Sequence, residues 1–297
     1  TLIIIDMKTI KQILVISFIL TGLFVCPVIA QEEREQSRLH RINGDDENDD
    51  DDVNLSPIQY KVPVNGAQIK KVVIKDLLGE IRIVGSQNND IVIEAKELRG
   101  TPKRAKGLKP LYGSGCMDNT GAGVAANESS GILTICGASK GSEDAKYVFT
   151  IPKGISISID YNSPFANEDI EIKDMEGEVE ASTLNASIKC SNVTGPLVLN
   201  SISGNVDINI SKLNQNSPTS ISLISGDLDI TLPVTSNANL ERSSLSGGVY
   251  TDFEIKTDSK ERNLKRIGGN KIETKLNGGG VELNLSSTSG NIYLRKK

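Results

Sequence analysis

Two aspartates occupy equivalent places in a recurring phrase. They are Asp207 in Ser203-Gly204-Asn205-Val206-Asp207-Ile208 and Asp229 in Ser225-Gly226-Asp227-Leu228-Asp229-Ile230. If the phrases stack, the two carboxylates line up, and hard cations want such oxygen ligands. A calcium-dependent polysaccharide lyase on a β-helix would use that column, with a Lys or Arg base on an adjacent coil. The next residues in the column are Tyr250 and Tyr293, which add no carboxylate. The column therefore reads first as a solvated polar face. Other chemistry finds less support. A Ser-His-Asp triad needs a histidine, and the single His40 lies in an acidic leader. Asp45 to Asp52 is an acidic run without the glycine turn and distal Glu of an EF-hand loop, so it reads as a spacer. Gly278-Gly279-Gly280 precedes a strand pattern rather than a helix, so it lacks the dipole of a phosphate cradle. Cys116, Cys136 and Cys190 have no metal-ligand spacing. No catalytic, cofactor-binding or metal residue is assigned, and no cofactor is expected.

The elements that would position such a column are short strands. The phrase returns as Ser246-Gly247-Gly248-Val249-Tyr250 and Ser289-Gly290-Asn291-Ile292-Tyr293-Leu294. Val206 and Ile208 point to one face, Asp207 and Asn209 to the other. One such strand cannot bury its apolar side alone, whereas stacked copies can. Glycine intervals suggest units of roughly ten residues and coils of roughly twenty. The glycines are expected at corners that need positive φ. Gly177-Glu178-Val179-Glu180-Ala181 opens the repeat, and the segment 256–262 reads as a polar insertion. Before the repeat, strands are expected over 72–74, 79–84, 90–95, 132–135, 147–151 and 155–159. Asn88-Asn89-Asp90 should turn the 79–84 and 90–95 pair, and Pro152-Lys153-Gly154 should close a hairpin. Lys96, Arg99, Lys103, Arg104, Lys106 and Lys109 form a basic cluster, read as an exposed loop rather than an anion patch. Arg295-Lys296-Lys297 would guard an open sheet edge. Aromatic residues make up only 4% of the 297 residues and Trp is absent, which suits an Ile/Val/Leu core between many turns. The fold class is all-β, a β-solenoid of stacked strand coils with short glycine-containing turns.

The leading segment reads as targeting. Met7-Lys8-Thr9-Ile10-Lys11 is basic, an uncharged apolar run follows over 13–29, and Val28-Ile29-Ala30 gives a small-residue cleavage pattern before Gln31. Residues 1–6 precede Met7, read as the initiator; 7–30 form the signal peptide; 31–56 form a disordered acidic leader; 57–297 form a single β-solenoid domain. Membrane attachment would follow if the apolar run stays uncleaved or if Cys26 is lipidated, although Val25 is a poor lipobox residue. Export makes a Cys116–Cys136 disulfide possible, and Cys190, in phase with Ile188, should face the core. A formal net charge of −5 argues against nucleic acid.

Several motifs then carry a resemblance. They are Asp118-Asn119-Thr120-Gly121, Ile151-Pro152-Lys153-Gly154, Asn192-Val193-Thr194-Gly195-Pro196, Leu245 to Phe253, Leu276-Asn277-Gly278-Gly279-Gly280, and the ending Ser289 to Lys297. In this order they resemble a family of exported bacterial β-solenoid domains of unknown function, labelled putative adhesins. The resemblance spans roughly 57–297. It implies a coil-stacked fold at the cell envelope and supplies no catalytic residues. The expectation is an exported, non-catalytic protein of the periplasm, outer-membrane surface or extracellular space that binds a surface glycan or protein. A structural or regulatory component that self-associates through edges or faces is the alternative.

Overall fold

The computed structural model describes residues 53–54, 56–62, 69–100, 102–105, 107–108, 112–254 and 270–297. The expected signal segment with Cys26, His40, the acidic run, Lys106, Lys109 and the insertion 256–262 lie outside the described residues. The first strands are β1 (Val53–Asn54), β2 (Ile58–Lys61), β3 (Lys71–Lys75), β4 (Glu80–Ser86), β5 (Val92–Lys96) and β6 (Leu98–Arg99). Next come β7 (Val124–Ser129), β8 (Ile132–Gly137), β9 (Lys146–Pro152) and β10 (Ser156–Tyr161). The repeat supplies β11 (Ile170–Lys173), β12 (Val179–Thr183), β13 (Ile188–Val193), β14 (Leu197–Ser201), β15 (Val206–Ile210) and β16 (Thr219–Ser225). It continues with β17 (Leu228–Leu232), β18 (Ala238–Ser244), β19 (Val249–Thr251), β20 (Asn270–Leu276), β21 (Val281–Ser289) and β22 (Ile292–Lys296).

Alternation decides the architecture. In β15, Val206, Ile208 and Ile210 are buried while Asp207 and Asn209 are exposed, and most repeat strands follow the same pattern. From β8 to β19 the chain switches sheets at every strand. Sheet I runs β7-β8-β3-β10-β12-β14-β16-β21-β18-β20, and sheet II runs β2-β5-β9-β4-β11-β13-β15-β17-β22-β19. A strand from each sheet makes one coil of a β-solenoid. Successive coils pair in parallel: Ile188 lies beside Val206, 18 residues on, and Val206 beside Leu228, 22 residues on. Inward residues of both sheets form one continuous core, including Val179, Leu197, Val206, Leu228 and the free thiol of Cys190. Each fully buried Val, Ile or Leu contributes about 1.5–3 kcal/mol.

Three of the corners from sheet I to sheet II share a device. Ser201 Oγ accepts from Gly204 N at 2.9 Å and donates to Gly204 O at 3.0 Å. Ser244 does the same with Gly247 at 2.9 and 2.9 Å, and Thr183 with Ala186 at 3.0 and 3.3 Å. These hydroxyls are buried, so each satisfies two backbone groups that water cannot reach.

The corner glycines differ from expectation. Among those of the four Ser-Gly phrases, positive φ occurs at Gly226 alone. The shared requirement is close approach. A Cβ on Gly204 would sit 1.9 Å from Ala186 O, one on Gly290 2.0 Å from Gly226 O, and one on Gly247 1.8 Å from Gly290 O. Each glycine lets its backbone press against the carbonyl of the coil beside it.

Three further expectations are corrected. The strands on either side of Asn88-Asn89-Asp90 do not pair, because β9 lies between β4 and β5. Pro152-Lys153-Gly154 does not close a hairpin, since β9 belongs to sheet II and β10 to sheet I. The cationic ending does not guard an edge. β22 is flanked by β17 and β19, so the last coil, β21–β22, sits inside β18–β19. The other end mirrors this, with β8–β9 stacked outside β3–β4. Among the described residues the edge strands are β7 and β20 in sheet I and β2 and β19 in sheet II.

One core position is anomalous. Arg242 of β18 pairs with Leu285 and takes an inward place, 6% exposed, where the neighbouring coils put Leu285 and Ile221. Among the described residues its Nε and Nη1 meet no acceptor, and desolvation lowers the guanidinium pKa.

Candidate functional site

The outward residues of sheet II form a charged column. Each follows from the same alternation that buries its neighbours, and strand spacing places them about 4.8 Å apart. Arg82 lies beside Glu171, Glu171 beside Lys189, and Lys189 beside Asp207. Asp207 lies beside Asp229, as expected from the phrase. Tyr293 comes next and Tyr250 last, the reverse of chain order, because the final coil is inserted. A second outward column carries Ser191, Asn209, Thr231 and Arg295.

Most charges in the column are paired. Arg82 Nη2 meets Glu171 Oε2 at 2.6 Å, and Lys189 bonds Asp169. Arg295 grips Asp229 with Nε at 2.8 and 2.9 Å and Nη2 at 2.7 Å, a forked carboxylate contact. The same guanidinium lies 5.4 Å from the Tyr293 ring centroid. Tyr293 stacks on Tyr250 with centroids 5.4 Å apart and planes 16° from parallel. Tyr250 is 55% exposed. Among the described residues Asp207 has neither an ion pair nor a hydrogen bond partner. Its carboxyl pKa is raised, first by desolvation and then by the charge of Asp229.

Between the columns runs a shallow groove of about 340 Å³, lined by Glu171, Lys189, Ser191, Asp207, Asn209, Asp229 and Thr231, with smaller contributions from Cys190 and Ile208. It ends toward the Arg295–Tyr293–Tyr250 stack. The outward groups offer hydroxyl, amide, carboxylate and ammonium, and the backbone of these strands is already spent on the ladders on both sides. Asp229 is occupied by Arg295, so the stacked aspartates leave one carboxylate for a cation. Among the described residues no group of three or more His, Cys, Asp or Glu could hold a metal.

The other sequence candidates fall elsewhere. Cys116 and Cys136 form a disulfide, and Cys190 is buried with its thiol pushed up to about 12 by desolvation. In the basic cluster, Lys96 pairs with Glu94 at 2.9 Å and Arg99 with Asp144 at 3.1 Å. β21 follows Gly278-Gly279-Gly280 directly, as expected of a strand. Arg295 and Lys189 were not among the sequence candidates. The signal for Arg295 was its phase, two residues after Tyr293 on the outward side.

Two solved structures are similar to this chain. One, from Clostridium sporogenes, is described as a "putative cell adhesion protein"; it is 16% identical, covers 82% of this chain and 100% of its own, and has a TM-score of 0.47. The other, from Bacteroides fragilis, is described as a "putative adhesin"; it is 13% identical, covers 82% and 99%, and has a TM-score of 0.34. No curated protein matches the chain. The coils from β11 to β22 hold most of the charged column, and residues 168–295, which contain nearly all of them, match the family model Toastrack DUF4097.

Proposed function

We propose that this protein is an exported, non-catalytic binding module that presents the outer face of sheet II to a glycan at the cell envelope. One observation carries the reading: a polar groove on the sheet face leads toward a stacked tyrosine pair, Tyr293 half-buried and Tyr250 exposed. A peptide added to a sheet needs free backbone groups at an edge. Here the strands under the groove have none to give, and recognition falls to side-chain hydroxyl, amide and charged groups that suit a polyhydroxylated ligand. The Cys116–Cys136 disulfide fits an oxidising compartment, in keeping with the signal-like segment. A glycan array probed with the purified chain and with a Tyr250→Ala/Tyr293→Ala variant tests this. Binding by the wild type that the variant loses is expected. A blank array, or binding that survives in the variant, overturns it.

A second reading, self-association, is favoured by a ridge along one corner that is apolar except where the inserted coil places Thr288 between Ile224 and Leu245. Ile202, Ile224 and Leu245, each just after a corner position, are 43%, 53% and 58% exposed. Sedimentation of the purified chain distinguishes the readings, because association abolished by Ile224→Asp would move the function to this ridge.

A further inference from the structure

Asp207 stands apart in an otherwise neutralised column. Arg82 is matched by Glu171, Lys189 by Asp169 and Asp229 by Arg295. That leaves one carboxylate unmatched at the centre of the groove, between Lys189 and Asp229. Its one cationic neighbour, Lys189, is already bonded to Asp169 and forms no ion pair with it, and Asp229 adds repulsion. A carboxylate kept charged against desolvation and a like charge marks a place where an external group is awaited. The group is a cation of a particular kind. A calcium ion takes six to eight oxygen ligands, and one free carboxylate falls well short. A primary ammonium needs one carboxylate and two or three neutral acceptors; Thr231 and Ser191 can provide two from the adjoining column, where Asn209 Oδ1 already accepts from the Lys297 ammonium. Tyr293 lies two rungs beyond Asp207, about 10 Å along the stack. A chain of linked rings could therefore place an amine on Asp207 and another ring beside the tyrosines.

We infer that the groove selects glycans carrying unacylated amino sugars, with Asp207 receiving the ammonium group. This rests on the glycan-binding reading above. A glucosamine hexamer and its fully N-acetylated counterpart, titrated calorimetrically at two salt concentrations, test it. The wild type should bind the free-amine oligomer about tenfold or more tightly than the acetylated one. Asp207→Asn should erase that preference. Glu282→Gln, which removes an equal charge from an exposed site on sheet I, should keep it. Equal binding of the two oligomers overturns the inference, as does a preference that survives in Asp207→Asn or disappears in Glu282→Gln. If neither oligomer binds while the array yields a ligand lost in the tyrosine variant, the amine inference fails and the glycan reading stands. If the array is also blank, both fall.

Discussion

Replacing Gly204 with alanine should cost far more than a glycine-to-alanine change ordinarily does. The added Cβ would lie 1.9 Å from Ala186 O, 2.5 Å from Ala186 C and 3.0 Å from Ser187 N. Backbone atoms cannot rotate aside like a side chain, so the two coils must part at this corner by more than about 1 Å to reach ordinary contact distance. That displacement strains the two Ser201 bonds to Gly204, at 2.9 and 3.0 Å, and the Ile188 N to Asn205 O rung at 2.9 Å. Losing two or three such bonds costs about 1 kcal/mol each, and overpacking adds about 1–3 kcal/mol, for a total near 3–6 kcal/mol. For a domain of this size the melting temperature should fall by about 10 °C. Gly154 is the internal control. It also sits at a turn, its φ is not positive, and nothing lies within 4 Å of its added Cβ. Gly154→Ala should be neutral or stabilise by about 0.4–1 kcal/mol through the unfolded chain. Urea unfolding of both variants, followed by far-ultraviolet circular dichroism, gives the comparison. If Gly204→Ala lies within about 1 kcal/mol of Gly154→Ala, close approach is not why glycine stands at these corners.

Three other outcomes are expected. Arg242→Leu should stabilise the fold by about 2 kcal/mol, because it replaces a buried guanidinium whose Nε and Nη1 lack acceptors among the described residues with the side chain its neighbours use; a loss of stability on urea titration would show that the charge is compensated. Ser201→Ala should destabilise by about 1–2 kcal/mol, since it leaves the Gly204 N–H and C=O unmatched in a buried corner; an unchanged denaturation midpoint would contradict this. Asp207→Asn should alter stability in a pH-dependent way. The folded carboxyl is held above its unfolded value by desolvation, Asp229 and Asp169, against the pull of Lys189. The folded state therefore binds the proton more tightly, and wild-type stability falls as pH rises from the ordinary carboxyl value of 3.8 through the folded pKa. The variant should melt higher than wild type at neutral pH and match it well below pH 3.8, and a lower melting temperature at neutral pH would mean that Asp207 makes a favourable contact.

The local pattern carried much of this fold. Alternation around Val206 and Ile208 correctly separates core from solvent, and the repeated phrase correctly aligns Asp207 with Asp229. Two kinds of information were not local. The first is the order of the coils. An Ile292-Tyr293-Leu294 strand has the same faces wherever it stacks, so its pattern does not say whether it pairs beside Leu228 or outside Val249. The second is the reason for a residue. Gly204 and Gly226 look alike in the sequence, yet Gly226 alone adopts positive φ and both sit against a neighbouring carbonyl. The site was legible to a similar depth. The column could be read, but the clasp of Arg295 on Asp229 spans 66 residues and depends on that coil order. Ser201 and Ser244 were within reach, because both stand three residues before a phrase glycine, a spacing shared by Thr183 and Ala186.

The inserted final coil also sets an order of assembly. Along β10 to β17 each new coil can dock on the one just made, so the stack can grow as the chain emerges. β18–β19 breaks that rule, because its berth beside β17 is taken by a coil that comes later in the chain. Until β21–β22 arrives, β18–β19 must wait undocked or rest in the wrong berth and then give way. Completion of this end is thus a single late event that joins three coils at once, and the ladder cannot ripen one rung at a time past β17.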